Sequence, residues 1–369
     1  MSVDPHGSHY ASAGVDYEVL DRAKRTALAA ADASVTFSSR RSASFDTRSF
    51  GEPASVVEIG GVTLATVLEC LGTKSVLACE FEKLTGVDRY DAIGYDTVAA
   101  IVNDCICVGA LPFIVNAYFA TGSADFYNGS RHTSLVAGFL RGCDAAGATW
   151  GGGESPTLAG LIAAEGIDLA GSAVGRVPQG RSPIFGTEIG VGDAIVLVES
   201  SGLHQNGASL GRKAASEIPK GLTAELPSGR MFGDALLDEG LIYVGLVEAL
   251  LESDVGVHYL SHLTGHGLRK LMRADRALTY RIRELPPVPE VIAFLAEQLA
   301  MSDAESYGTL NMGAGFAVIV SRDEGDRVVE IARHAGHRAS VAGVIEEGPR
   351  RVILEQIGVV FGGESLALR

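Results

Sequence analysis

The chain has no apolar run long enough to cross a bilayer, which takes about 20 consecutive apolar residues, so no spanning helix and no membrane partner are expected. Basic charge is also scarce: 30 Lys and Arg stand against 45 Asp and Glu, a net charge of −15. That argues against nucleic-acid binding, which leans on a basic surface. The five cysteines (Cys70, Cys79, Cys105, Cys107 and Cys143) include no CxxC pair. They read as small buried hydrophobes in a reducing compartment, because the ligand spacing of a zinc site is missing. The opening "MSVDPHGSHYASAG" has no basic region followed by an apolar one, as a secretory signal has. A cytoplasmic protein is expected. The chain also lacks a GxSxG elbow, an HExxH helix, a GxxxxGK[ST] loop and a strand–GxGxxG–helix unit, and it shows no solenoid repeat. Any nucleotide is bound without the commonest loops.

What is abundant is apolar residues and glycine. A hydrophobic content of 47% over 369 residues supports two domains with sizeable cores. The 46 glycines follow no period, which points to turns and close backbone approaches. "VVEIGGVTLATVLE" (56–69) predicts a hairpin about Gly60-Gly61. Helices are predicted at 94–110 and 131–146, strands at 112–122 and 167–177, and a turn at 150–156. "PQGRSPIFGTEIGVGD" (178–193) reads as the boundary between a domain at 1–180 and one at 181–369. In the second, strands are predicted at 194–200, 314–321, 339–345 and 350–355. Helices are predicted at 206–217, 234–252, 288–300 and 323–336. Mixed strands and helices in both halves give an α/β or α+β protein.

Four clusters put polar residues where that pattern does not need them. In "VLECLGTKSV" (67–76) a strand ends in Glu69, and Gly72-Thr73-Lys74 follows. Gly72 lets amides face a phosphate, Lys74 supplies a charge, and Glu69 suits Mg²⁺; a solvated surface turn is the alternative. The second is an apolar helix carrying Asp96, Asn103 and Asp104. Asp96 and Asn103 share a face, roughly 10 Å apart along the axis. Carboxylates there need a metal or a cation, unless the face meets solvent. The third is Gly152-Gly153-Glu154 in "GGGESP". The fourth is "SSGLHQNGASLGRK" (200–213), where Ser201, Gly202, His204 and Asn206 precede a helix whose free amides suit an anion. "SHLTGHGLRKLMR" (261–273), with His262, Thr264 and Gly265, has the same logic. A structural histidine is the plainer reading of each.

Taken in order, these pieces resemble the phosphoribosylformylglycinamidine cyclo-ligase (aminoimidazole ribonucleotide synthetase) family. The likeness runs from "YASAGVDYEVLDRAKR" (10–25) through "LGTK", "IGYDTVAAIVNDCICVGALPFIVNAYFATG" (93–122) and "GGES" to "SSGLHQNGASLGRK", "HLTGHGL" (262–268) and "YGTLNMGAGFAVIV" (307–320). The resemblance implies an N-terminal ATP-binding domain whose sheet pairs with its copy in a homodimeric barrel, followed by a C-terminal α/β domain. It implies an ATP-dependent, carbon–nitrogen bond-forming cyclo-ligase of purine biosynthesis that acts on a small molecule with ATP and Mg²⁺. By position it assigns Glu69, Asp96, Asp104 and Glu154 to metal. It assigns Gly72, Thr73, Lys74, Asp96, Asn103, Asp104, Gly152, Gly153, Glu154, Ser201, Gly202, Asn206, Thr264 and Gly265 to ATP. Proton transfer and phosphoryl neutralisation fall to His204, His262 and Lys74.

The chain departs from the family at its loops. Thr-Asp-Gly-Val-Gly-Thr-Lys has become "LECLGTK" (68–74), with Glu69 for Asp and Cys70 for Gly. A Gly-rich loop is not recognisable in "SASFDTRSFGEPAS" (42–55). "GGESPTLAG" lacks the second Glu of the family loop. His-x-Thr-Gly-Gly-Gly has His266 at its fifth place, and of Asn-Ile-Pro-Arg only Arg273 remains in "KLMR". Two alternatives stay open: the same ATP chemistry on another amide or phosphate acceptor, and a non-catalytic ATP-binding paralogue.

Overall fold

A computed structural model describes residues 17–366, so the motif positions at 10–16 lie outside the described residues. The N-terminal half contains α1 (Tyr17–Asp32), β1 (Ala43–Asp46), β2 (Ser55–Ile59), β3 (Val62–Cys70), α2 (Lys74–Thr85) and α3 (Tyr90–Ile106). After these come β4 (Leu111–Thr121), α4 (Ser130–Ala145), β5 (Thr149–Glu154) and β6 (Ile167–Arg176). The strands form one six-stranded sheet in the order β1-β2-β3-β6-β4-β5. The predicted hairpin is there: β2 and β3 pair antiparallel about Gly60 and Gly61, at φ 58° and 76°.

Burial alternates along β6, as the period of two in a strand demands. Ile167, Leu169 and Ala173 are buried, while Asp168 and Arg176 are exposed. One face of the sheet is therefore core and the other is open. Helix α3 lies against the core face, and all but two of its 17 residues are buried. It crosses α4 at van der Waals contact through glycines. A Cβ on Gly94 would lie 2.1 Å from the Leu135 carbonyl oxygen, and one on Gly138 would lie 1.7 Å from that of Asp91.

The C-terminal half contains β7 (Ala194–Glu199), α5 (Ala208–Glu217), α6 (Phe232–Leu236), α7 (Val244–Glu252), β8 (Val257–His262) and β9 (Leu278–Ile282). It continues with α8 (Glu290–Gln298), α9 (Asp303–Tyr307), β10 (Ala314–Val320), α10 (Gly325–His334), β11 (Ala339–Glu347), β12 (Arg351–Leu354) and β13 (Val359–Gly362). Seven strands make one sheet, β13-β12-β9-β11-β7-β10-β8. Every residue of β10 is buried, which explains its unbroken apolar run. Pairing is antiparallel in both sheets except for β4–β5 and β12–β9, so the fold is α+β. Neither sheet closes on itself. Among the described residues no helix is long and apolar enough to cross a membrane.

Three expectations need correction. Residues 150–156, read as a turn, instead put 150–154 in edge strand β5, because Gly151 and Gly153 lie against β4 where side chains do not fit; a Cβ on Gly153 would sit 2.0 Å from the Ala117 oxygen. The helix predicted at 234–252 is two helices, α6 and α7, separated by residues 237–243. That backbone is diverted to α3: Gly240 N–H donates to Asp96 and Tyr243 N–H to Asn103. Segment 267–273, read as a basic helix, is a 3₁₀ turn.

Candidate active site

The two halves meet along α3. Lys74 and Asp96 form an ion pair with both side chains fully buried. The Lys74 ammonium also donates to the His204 carbonyl oxygen at 2.8 Å and to that of Asp238 at 3.0 Å. The other oxygen of Asp96 accepts from Gly240 N–H at 2.7 Å and from Gln205 Nε2 at 3.1 Å. The cation that the buried carboxylate required is thus a lysine of the same chain. Two turns on, Asn103 donates to the Leu241 oxygen at 2.8 Å and accepts from Tyr243 N–H at 2.9 Å. Thr73 joins the halves at 2.8 Å from Ser209 Oγ. Gly72 turns the chain at φ 67°.

Beyond this seam lies a cavity of about 200 Å³. The end of β3 supplies Glu69 and Cys70, and α3 supplies Asp104. The turn between β7 and α5 supplies Gln205 and Asn206. The other wall is residues 262–273, with His262, Thr264, Gly265, His266, Lys270 and Arg273, and α1 adds Lys24.

Asp104 Oδ1 and His262 Nδ1 are 2.7 Å apart. An ionised carboxylate can only accept, so Nδ1 carries the proton and Nε2 presents a lone pair. Nε2 is buried and makes no hydrogen bond. Burial pushes the Asp104 carboxyl up, but the His262 hydrogen bond and the Lys270 and Arg273 charges outweigh it and hold it at about 2. Burial keeps His262 below the usual imidazole range, against the pull of Asp104. The pair is a carboxylate and a neutral imidazole. Glu69 behaves differently: burial and the Asp104 charge push it up to about 7.

His204 is engaged elsewhere. It holds φ 59°, and its Nε2 accepts from Ser201 N–H at 3.0 Å. Ser201 Oγ donates to the Glu239 oxygen at 3.0 Å, and the Gly202 oxygen accepts from Asn311 at 2.9 Å. Burial holds His204 near 3, so it is neutral. It does not line the cavity.

The structure therefore brings Glu69, Asp104, Asn206, His262, Thr264 and Gly265 together at one cavity. Lys74, Asp96 and Asn103 lie in the seam beside it. Gly152, Gly153 and Glu154 are apart. Register runs Cys70–Ala170–Tyr118–Glu154, which sets Glu154 three strand spacings, about 14 Å, from β3. Among the described residues no three His, Cys, Asp or Glu side chains gather as metal ligands would. Sequence reasoning missed Lys24, Gln205 and Lys270. Lys270 was visible only as one charge in a basic segment, and nothing local marks it as buried.

Family models match both halves: AIR synthase related protein, N-terminal domain, over residues 51–177, and the C-terminal domain over 190–355. The phosphoribosylformylglycinamidine cyclo-ligase of Pyrococcus furiosus is 34% identical over 354 residues, covering 95% of this chain and 99% of that one. The enzyme of the same name from Alkaliphilus oremlandii is 33% identical over 362 residues, covering 94% and 99%. Among solved structures, AaThiL complexed with AMPPCP and TMP superposes with a TM-score of 0.58 at 16% identity, covering 84% of this chain and 89% of that one, a likeness of fold. The two-domain match and the near full-length identity together place the chain in the phosphoribosylformylglycinamidine cyclo-ligase family of AIR synthase related proteins.

Proposed function

We propose that the protein is an ATP-dependent cyclo-ligase that converts formylglycinamidine ribonucleotide to aminoimidazole ribonucleotide in cytoplasmic purine biosynthesis. The observation that carries this reading is the buried Asp104–His262 pair, open to a cavity in a chain whose full-length relatives bear the cyclo-ligase name. When bound, ATP supplies the phosphoryl group that turns an unreactive amide oxygen into a leaving group. His262 Nε2 takes the proton from the nitrogen that closes the ring, with Asp104 fixing the tautomer and stabilising the imidazolium. His204 has no such opening, since its Nε2 is spent on Ser201. Lys74 acts one step back, by holding the His204 turn and Asp96 against the cavity.

The residues present fit Mg²⁺ at two positions. Magnesium bound to nucleotide needs only one or two protein carboxylates. Glu69 and Asp104 repel each other across the cavity, and a divalent cation relieves that repulsion. Asp104 Oδ2 remains for it while Oδ1 serves His262. Asp96 is already neutralised by Lys74, and Glu154 lies three strands away from β3. Asn206, Thr264 and Gly265 border the space where nucleotide or acceptor is held, and the Gly72–Thr73 turn lies in the seam beside it. Residues 1–180 form the ATP-binding and dimerisation domain and 181–369 the second α/β domain. The open face of the first sheet, with Leu68 76% and Phe113 48% exposed, pairs with a second copy to close a barrel.

Phosphate release from ATP that depends strictly on formylglycinamidine ribonucleotide, lost in Asp104→Asn, tests the reading. Absence of turnover with pure protein, ATP, Mg²⁺ and that ribonucleotide rejects it. A second reading, the same ATP chemistry on another amide or phosphate acceptor, is favoured by His266, which faces the cavity at φ 72°. Phosphate release with such an acceptor and none with the ribonucleotide would select it.

A further inference from the structure

We propose that Lys270 and Arg273 form a phosphoryl-binding subsite on the wall of the cavity facing Glu69, an inference that rests on reading this cavity as the active site of the cyclo-ligase. The two residues are three apart on the 3₁₀ turn Gly267–Arg273. With three residues per turn, side chains at i and i+3 eclipse. Both accordingly line the cavity.

Each is held in a state that lacks an anion. Lys270 is 6% exposed, and its ammonium donates to Thr264 Oγ1 and to the His262 oxygen at 3.2 Å. Both partners are neutral, so among the described residues the charge has no contacting counterion. Arg273 Nε is buried and makes no hydrogen bond. Buried donors without partners are rare in folded proteins. Burial and the Arg273 charge push Lys270 down to about 8, so the two cations are close enough to oppose each other. Asp104 uses one carboxylate oxygen, Oδ1, on His262.

A phosphoryl group answers these features. Its several oxygens can meet a guanidinium fork and an ammonium together. Both reactants of the proposed reaction carry phosphoryl groups. The subsite takes either a phosphate of ATP or the phosphate monoester of the ribonucleotide.

Calorimetric titration of the full-length protein with AMPPCP and Mg²⁺, and separately with formylglycinamidine ribonucleotide, tests this. Arg273→Gln is expected to weaken at least one ligand about tenfold or more, the order of a lost charge-assisted bidentate contact. Lys270→Met is expected to weaken the same ligand. Loss confined to AMPPCP assigns the subsite to the nucleotide, and loss confined to the ribonucleotide assigns it to the acceptor. Folded variants that bind both ligands as the wild type does would overturn the proposal. If Arg273→Gln unfolds, Arg273→Lys decides, since it keeps the charge and loses the fork: weaker binding supports the subsite and unchanged binding rejects it. The two readings fail separately. A wild type that binds through Arg273 yet releases no phosphate loses the cyclo-ligase assignment alone, and normal turnover with unmoved binding loses the subsite alone.

Discussion

Asp104 Oδ1 lies 2.7 Å from His262 Nδ1, with the carboxylate on the last turn of α3 and the imidazole at the end of β8. The bond joins the two domains at the cavity and fixes which nitrogen is basic. His262→Gln is expected to lower kcat by about 10²–10⁴, the usual contribution of a positioned base. Asp104→Asn should do nearly as much, because an amide can donate to Nδ1 and so favour the wrong tautomer. His204→Gly should retain most turnover, since glycine accepts φ 59°. Steady-state kinetics of the three variants check this ranking; equal losses at His204 and His262 would contradict it.

Lys74→Met is expected to destabilise the fold by about 3–5 kcal/mol, because it strands Asp96 as an uncompensated buried charge. Urea unfolding measures the loss. The double variant Lys74→Met, Asp96→Leu should recover part of it. A Lys74→Met protein of wild-type stability would show that the lysine is not the structural partner of Asp96.

Glu69 makes stability depend on pH. Its carboxyl is raised from about 4.5 to about 7 by burial and then by the Asp104 charge. The folded chain therefore holds this proton more tightly than the unfolded one. The stabilisation is complete below the ordinary carboxylate range and is lost as pH rises through about 7. The melting temperature of the wild type should fall relative to Glu69→Gln across that interval, and the curves should run parallel above it. Mg²⁺ with AMPPCP should shift the fall to lower pH. Parallel melts at every pH would remove Glu69 from the cavity's electrostatics.

Leu68 projects from the open face of the first sheet with 76% of its surface exposed. Leu68→Arg places a charge in the proposed dimer contact and should yield a monomer in sedimentation. If the wild type is itself monomeric at micromolar concentration, the barrel dimer is ruled out.

Much of this was legible in the sequence. The Gly60-Gly61 hairpin, α3, β4, β6, β7 and β10 carry strong periodicity or unbroken apolar runs, and such segments keep their form whatever surrounds them. Strands β8, β9 and β13 were missed. They have 6, 5 and 4 residues, too few to establish a period, and β8 and β13 are sheet edges. The break between α6 and α7 was hidden for another reason. Residues 237–243 look helical locally, but their backbone donors are claimed by Asp96 and Asn103, more than a hundred residues earlier. In the site, the residue types were readable and their partners were not. Lys74 reads as a charge for a phosphate, and Asp96 as a carboxylate in need of a metal or a cation. No local pattern announces that the two needs answer each other.

Helix α3 bears Asp96 on one turn and Asp104 two turns on, each fastened to the opposite domain, one through Lys74 to the His204 turn and one directly to His262. Opening the domains like jaws would tear a buried ion pair and misalign the proposed base in the same movement. The two halves are clamped at two points, about two turns apart, on one helix. Cys70 and Lys24, which line the cavity and are exposed, are where it meets solvent while that clamp stays shut.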